Sequence, residues 1–140
     1  MNKIKPYIIG IDATNLRAGG GLTHLIELLR SANPKEHGFD RIVVWGGSAS
    51  LKFIEDRRWL DKRNPRALDK SLFWRTLWQS YRLSQAARNE GCSVLFVPGG
   101  SYSGDFRPVV TMSQNLLPFE MCEVLRFGCS FLMFKLMMLR

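Results

Sequence analysis

Apolar residues fall along this chain in two kinds of pattern. Short unbroken runs end at acidic residues, glycine or proline, and between them lie longer stretches with apolar positions three and four apart. Tyr7, Ile8, Ile9, Gly10 and Ile11, closing at Asp12, read as a strand covered on both faces. The glycine run at residues 19–21 follows, and Leu22, Leu25, Ile26 and Leu29 then repeat with helical spacing until Asn33-Pro34 ends the helix. Residues 41–45, before Gly46-Gly47, form a second expected strand. A short helix is expected near residues 50–56, then a loop through Asn64-Pro65. A long helix is expected over residues 72–89, capped by Asp69 or Ser71 and stopped near Gly91, with Phe73, Leu77, Trp78 and Tyr81 as its buried stripe. Residues 93–97 and 108–112 complete the strands, and a last helix is expected from Phe119 or Met121 onward.

Strands alternating with helices give parallel βαβ units, so the fold class is α/β: a Rossmann-like parallel sheet flanked by helices. One domain over residues 1–140 is expected, with ligands at the carboxyl ends of the strands. Three turns fall there: residues 19–21, 98–100 and 113–120. The end of the chain differs from the rest. From Phe127 it is apolar nearly all round, broken by Lys135 and Arg140, and it carries no helix-ending signal. It reads as a chain cut within its last helix.

Charge narrows the partners. The formal net charge is +8, which favours anions such as phosphorylated small molecules or an anionic membrane surface. The one dense basic cluster, Arg57, Arg58, Lys62, Arg63 and Arg66, is interrupted by Asp56 and Asp61, and no nucleic-acid motif accompanies it; no nucleic-acid partner is expected. Three cysteines, Cys92, Cys122 and Cys129, fit reduced thiols rather than a disulfide framework. No signal peptide or membrane-spanning stretch is read, so a cytoplasmic chain is expected, with peripheral attachment to the inner face of the membrane as the variant.

Among residues that could carry chemistry, Gly19, Gly20 and Gly21 stand first. Glycine lets backbone approach a ligand, and the following helix aims its amides and dipole into the turn, which suits a diphosphate. A plain strand-to-helix turn is the competing reading. Neither a Walker motif nor a dinucleotide fingerprint can be fitted, and no acidic ribose ligand stands at the expected place, which argues against an unrelated nucleotide-binding domain. Thr23 and His24 open the helix, with Glu27 within local hydrogen-bond reach of His24. Gly99 and Gly100 follow the strand at residues 93–97. Ser113, Gln114 and Asn115 offer donors and acceptors for sugar hydroxyls, or else cap the next helix. Trp45, Trp59, Trp74 and Trp78 are expected in core packing rather than as a sugar platform. No zinc spacing exists, and no metal or cofactor is expected.

Four segments together, residues 9–17, 19–25, 94–100 and 110–118, resemble the N-terminal domain of family 4-like retaining glycosyltransferases of the GT-B fold, in the family's order and across essentially the whole chain. The resemblance implies two Rossmann-like domains facing a cleft. The N-terminal one holds a glycan or lipid-linked acceptor, and its glycine turn approaches the diphosphate of a nucleotide-sugar. On that mapping Gly19, Gly20 and Gly21 lie near the diphosphate, while Thr23, His24, Gly99, Gly100, Ser113, Gln114 and Asn115 serve sugar or acceptor. Gln114 and Asn115 fall where many members read His-Asp, and a glutamine cannot titrate. The implied activity is hexosyl transfer, in surface polysaccharide biosynthesis, with the donor domain missing from these residues and the chain inactive alone. The rival reading is a non-catalytic acceptor-binding or membrane-docking subunit that needs a separate donor domain.

Overall fold

The structure, a computed structural model, describes residues 6–100 and 102–112. Five strands form one parallel sheet in the order β3-β2-β1-β4-β5. They are β1 (Ile8–Ala13), β2 (Arg41–Gly46), β3 (Leu60–Arg63), β4 (Val94–Val97) and β5 (Val109–Thr111). The helices are α1 (Gly20–Ser31), α2 (Ser48–Leu51), α3 (Leu72–Tyr81) and α4 (Leu83–Asn89), with 3-10 turns at Pro34–His37 and Arg66–Asp69. This is the Rossmann-like α/β architecture that the alternation of runs and stripes implies.

The central strands explain themselves. In β1 every residue but Ile9 is buried, and in β2 every residue but Arg41, as expected where helices cover both faces of a sheet. Alternation along β1 splits the core. Ile11 and Ala13 join Leu25, Leu29, Val44 and Leu51 on the α1 side, whereas Ile8 joins Val43, Trp45, Leu83, Leu95 and Phe106 on the α4 side. Asp12 has the parity of Ile8 and so faces α3 and α4.

The chain builds outward from β1 through β2 to β3, then crosses back to β4 and β5. The order therefore reverses between β1 and β4, the place where open α/β sheets leave a crevice at their carboxyl ends.

Three local expectations are corrected. Residues 60–63, expected within the loop through Asn64-Pro65, form β3, the edge strand among the described residues, paired with β2. The short helix starts earlier, at Ser48, because the Asp69 carboxylate accepts from both the Ser48 amide (2.7 Å) and its hydroxyl (2.9 Å). The single helix over residues 72–89 is two, separated at Arg82. Its expected buried stripe also faces the other way: Phe73, Leu77 and Tyr81 are exposed and Gln79 is buried. Trp78 alone of that set packs against the core cluster. Among the described residues, no helix is long and apolar enough to cross a membrane.

Candidate functional site

The loop from β1 into α1 leaves the sheet at its carboxyl edge, beside the switch point, and is pinned at three places. Asp12 accepts hydrogen bonds from the Thr14 hydroxyl and amide. The Ser50 hydroxyl donates to the Leu16 carbonyl. Arg17 reaches across to donate to the carbonyls of Leu68 (3.2 Å) and Lys70 (3.1 Å). A loop fixed at both walls presents its remaining backbone in one conformation.

That remaining backbone is the glycine turn. Gly19 has φ +79° and stands just before α1, a left-handed conformation that glycine takes without penalty. Gly19 and Gly20 are exposed and Gly21 half-buried. A β-carbon built on Gly19 or Gly20 would meet nothing within 4 Å. No side chain caps α1, and its first turn carries no acidic residue. The amides that open a helix have no intrahelical acceptors; here the chain at Gly19 and Gly20 is exposed, with the positive end of the helix dipole behind it. Chemically, such an arrangement accepts an anion.

Thr23 does not point into this space, since its hydroxyl donates back to the Gly19 carbonyl at 3.3 Å. His24 is exposed. The Glu27 carboxylate that was its expected local partner instead takes Arg30, at 2.6 Å. Gly99 and Gly100 follow β4, across the switch point from β1. Gly99 is exposed with open space around it, and Gly100, at φ +77°, closes a turn by donating to the Val97 carbonyl. Ser113, Gln114 and Asn115 lie outside the described residues.

The wall opposite the turn belongs to α3 and was not read from the sequence. Gln79 is buried; its amide nitrogen donates to Asp12, and its oxygen accepts from Asn15 at 3.4 Å. Burial pushes the Asp12 carboxyl above its ordinary range, and the bonds from Thr14 and Gln79 pull against that rise. One turn earlier on the same face, burial and then the like charge of Arg17 lower the pKa of Arg75 from its ordinary value. Its Nε is buried without a hydrogen-bond partner among the described residues. The spacing of Arg75 and Gln79, four apart, puts both on one helix face without saying which way that face points.

Other features fall away from this edge. Arg57 pairs with Glu55, Lys62 with Asp56 and Arg63 with Glu90, so most of the basic cluster is internally neutralised. Trp45 is buried and Trp59 and Trp78 half-buried, as core packing requires, but Trp74 is exposed. Cys92 is a free thiol, pushed up to about 11 by burial and by Glu90, which keeps it protonated. A cavity of about 550 Å³ lined by Ile9, Ile11, Leu28, Phe96 and Val110 lies at the far end of α1 from the glycine turn. Among the described residues, no three His, Cys, Asp or Glu side chains gather as a metal site. No family model, no curated protein and no solved structure matches the chain.

Proposed function

We propose that this chain is the acceptor-side half of a retaining, nucleotide-sugar-dependent glycosyltransferase, in which the turn at residues 19–21 receives the donor pyrophosphate. The observation that carries this reading is the open, uncapped start of α1 behind a glycine at φ +79°. Three further points support it. The turn sits at the reversal of strand order, where parallel sheets bind ligands. Arg17 and Arg75 approach one another beside it; the Asp69 carboxylate offsets part of the Arg17 charge, and a phosphate group would relieve the repulsion that remains. The four segments that resemble the family include this turn and both flanking strands.

On this reading a second α/β unit holds the base and sugar, and a glycan or lipid-linked acceptor enters from the β4 side, past Gly99 and Gly100. Front-face transfer depends on positioning and on stabilising the leaving diphosphate. The chain's own share of that work is the backbone cradle; the titratable groups around it, Asp12 included, hold the loop. Titration calorimetry of the purified chain with pyrophosphate, uridine diphosphate and guanosine diphosphate tests the reading. Affinity on the millimolar scale is expected from half of a cleft, about 4 kcal/mol of binding. No heat from any of the three, with the fold intact, would remove the proposal. The non-catalytic alternative shares the cradle and differs in turnover, which a nucleotide-sugar assay with the donor unit supplied reads directly.

A further inference from the structure

Helix α3 is built inside out. Its sheet-side residues are Arg75, Trp78 and Gln79, while Leu72, Phe73, Trp74, Leu77 and Tyr81 are between 37% and 75% exposed. Its main neighbours are α4 and the 3-10 turn Arg66–Asp69. Phe73, Leu77 and Tyr81 are four apart and line one face, and Trp74 widens it; Leu72, at the first turn, is exposed on the side of Arg75 and Gln79. Isolated exposed apolar residues are ordinary on a protein surface, but Phe73, Trp74, Leu77 and Tyr81 together on one side of one helix are an interaction face.

Charge selects the occupant. From residue 70 to residue 89 the chain carries Lys70, Arg75, Arg82 and Arg88 and no Asp or Glu. Arg88 is paired with Asp105. Lys70 and Arg82 are exposed at the two ends of α3, and the Lys70 ammonium lies 5.2 Å from the Trp74 ring. Bulky aromatic and leucine side chains framed by cations that make no ion pair among the described residues, with no anion between them, form the pattern of a helix that lies in a bilayer interface. Anionic headgroups take the cations and acyl chains take the rings. A protein partner would need an apolar groove with an acidic rim to match the same face.

We infer that α3 docks this chain onto an anionic lipid surface, lying parallel to it with Phe73, Leu77 and Tyr81 inserted. The inference stands apart from the transferase reading, because it uses the outer face of α3 and the cradle faces its inner side. Vesicle binding can therefore fail with diphosphate binding intact, and the reverse.

The test is flotation of the full chain with vesicles of phosphatidylcholine alone or enriched in phosphatidylglycerol. Binding to the anionic vesicles only, weakened by salt, is expected. Phe73→Glu together with Leu77→Glu should lower the partition by roughly tenfold or more, with an unchanged far-ultraviolet spectrum because both side chains point outward. Should that pair disturb folding, Trp74→Phe keeps the question open to measurement. Quenching of tryptophan by brominated acyl chains should fall in that variant relative to wild type.

Wild-type partition in the double variant overturns the inference, and so does quenching that Trp74→Phe leaves unchanged. Loss of binding in Phe134→Glu but not in the α3 variants would assign attachment to the apolar C-terminal stretch instead. A chain that ignores both vesicles and dimerises through this face, read as a mass change abolished by Leu77→Glu, would make the face a contact between copies.

Discussion

The Gln79 carboxamide, on α3, donates to the carboxylate of Asp12 near the end of β1, two residues 67 positions apart that are both buried. The bond ties the loop that carries the glycine turn to the helix that forms the opposite wall. It also holds a carboxylate where burial disfavours its charge. Because the folded-state value is raised, the proton is bound more tightly in the folded chain than in the unfolded one. The associated stability is complete below the ordinary value of 3.8 and is lost as pH rises through the folded value. Asp12→Asn removes this dependence. The stability of wild type minus that of Asp12→Asn, from urea unfolding at a series of pH values, should therefore fall as pH rises from about 4. A difference that stays level or rises would contradict the burial-dominated account.

Gly20→Asp separates an anion cradle from a mere turn. A β-carbon at this position meets nothing within 4 Å, so the fold accommodates the side chain. At the first position of α1 a carboxylate interacts favourably with the helix dipole, adding about 0.3–1 kcal/mol of stability. The same charge would repel a diphosphate. The expected outcome is thus a raised thermal midpoint together with pyrophosphate binding weakened at least about tenfold. If calorimetry shows binding equal to wild type, the turn is only a turn.

What the sequence revealed and what it hid follow from one limit: periodicity identifies a face but not what the face meets. Apolar runs such as Val43, Val44 and Trp45 lie in layers buried on both sides, so composition alone places them. β3 was missed because Leu60 is its one apolar residue; Asp61, Lys62 and Arg63 follow, as suits an edge strand whose charges end in ion pairs with Arg41, Asp56 and Glu90. In α3 the spacing of Phe73, Leu77 and Tyr81 is helical, yet that stripe faces outward and Arg75 and Gln79 face in. No rule of spacing could decide this, because the reason is the partner at Asp12, 67 residues away. The glycine turn was legible for the opposite reason. Its conformation is local, set by residues that need no partner to adopt φ +79°.

Arg75→Met tests the wall opposite the turn. Among the described residues, the guanidinium Nε is buried without an acceptor and feels the like charge of Arg17. Methionine keeps much of the side-chain length and removes both penalties, so stability should stay within about 1 kcal/mol of wild type and lean upward. If Arg75 holds a phosphate oxygen, its loss should weaken pyrophosphate binding by roughly tenfold, the worth of one charge-assisted hydrogen bond. Unfolding and calorimetry on the same sample give both values. A marked fall in stability would mean that Arg75 is a structural strap instead.

Gly10 stands in the middle of β1, paired with Val43 on one side and Leu95 on the other. A strand interior gains nothing from glycine as such; the reason here is space. A β-carbon at Gly10 would lie 2.9 Å from Cζ3 of Trp45 and 3.1 Å from both the Cys92 sulfur and a Leu95 methyl. The indole thus lies flush against the backbone of the central strand, and all three neighbours are side chains packed in one core cluster. Gly10→Ala should cost about 1–3 kcal/mol, the range for overpacking a filled core, and shift the emission of the buried indole. Trp45→Leu should recover part of the loss in the double variant, since it vacates the contested space; additive losses in the cycle would show that the ring is not what excludes the methyl group.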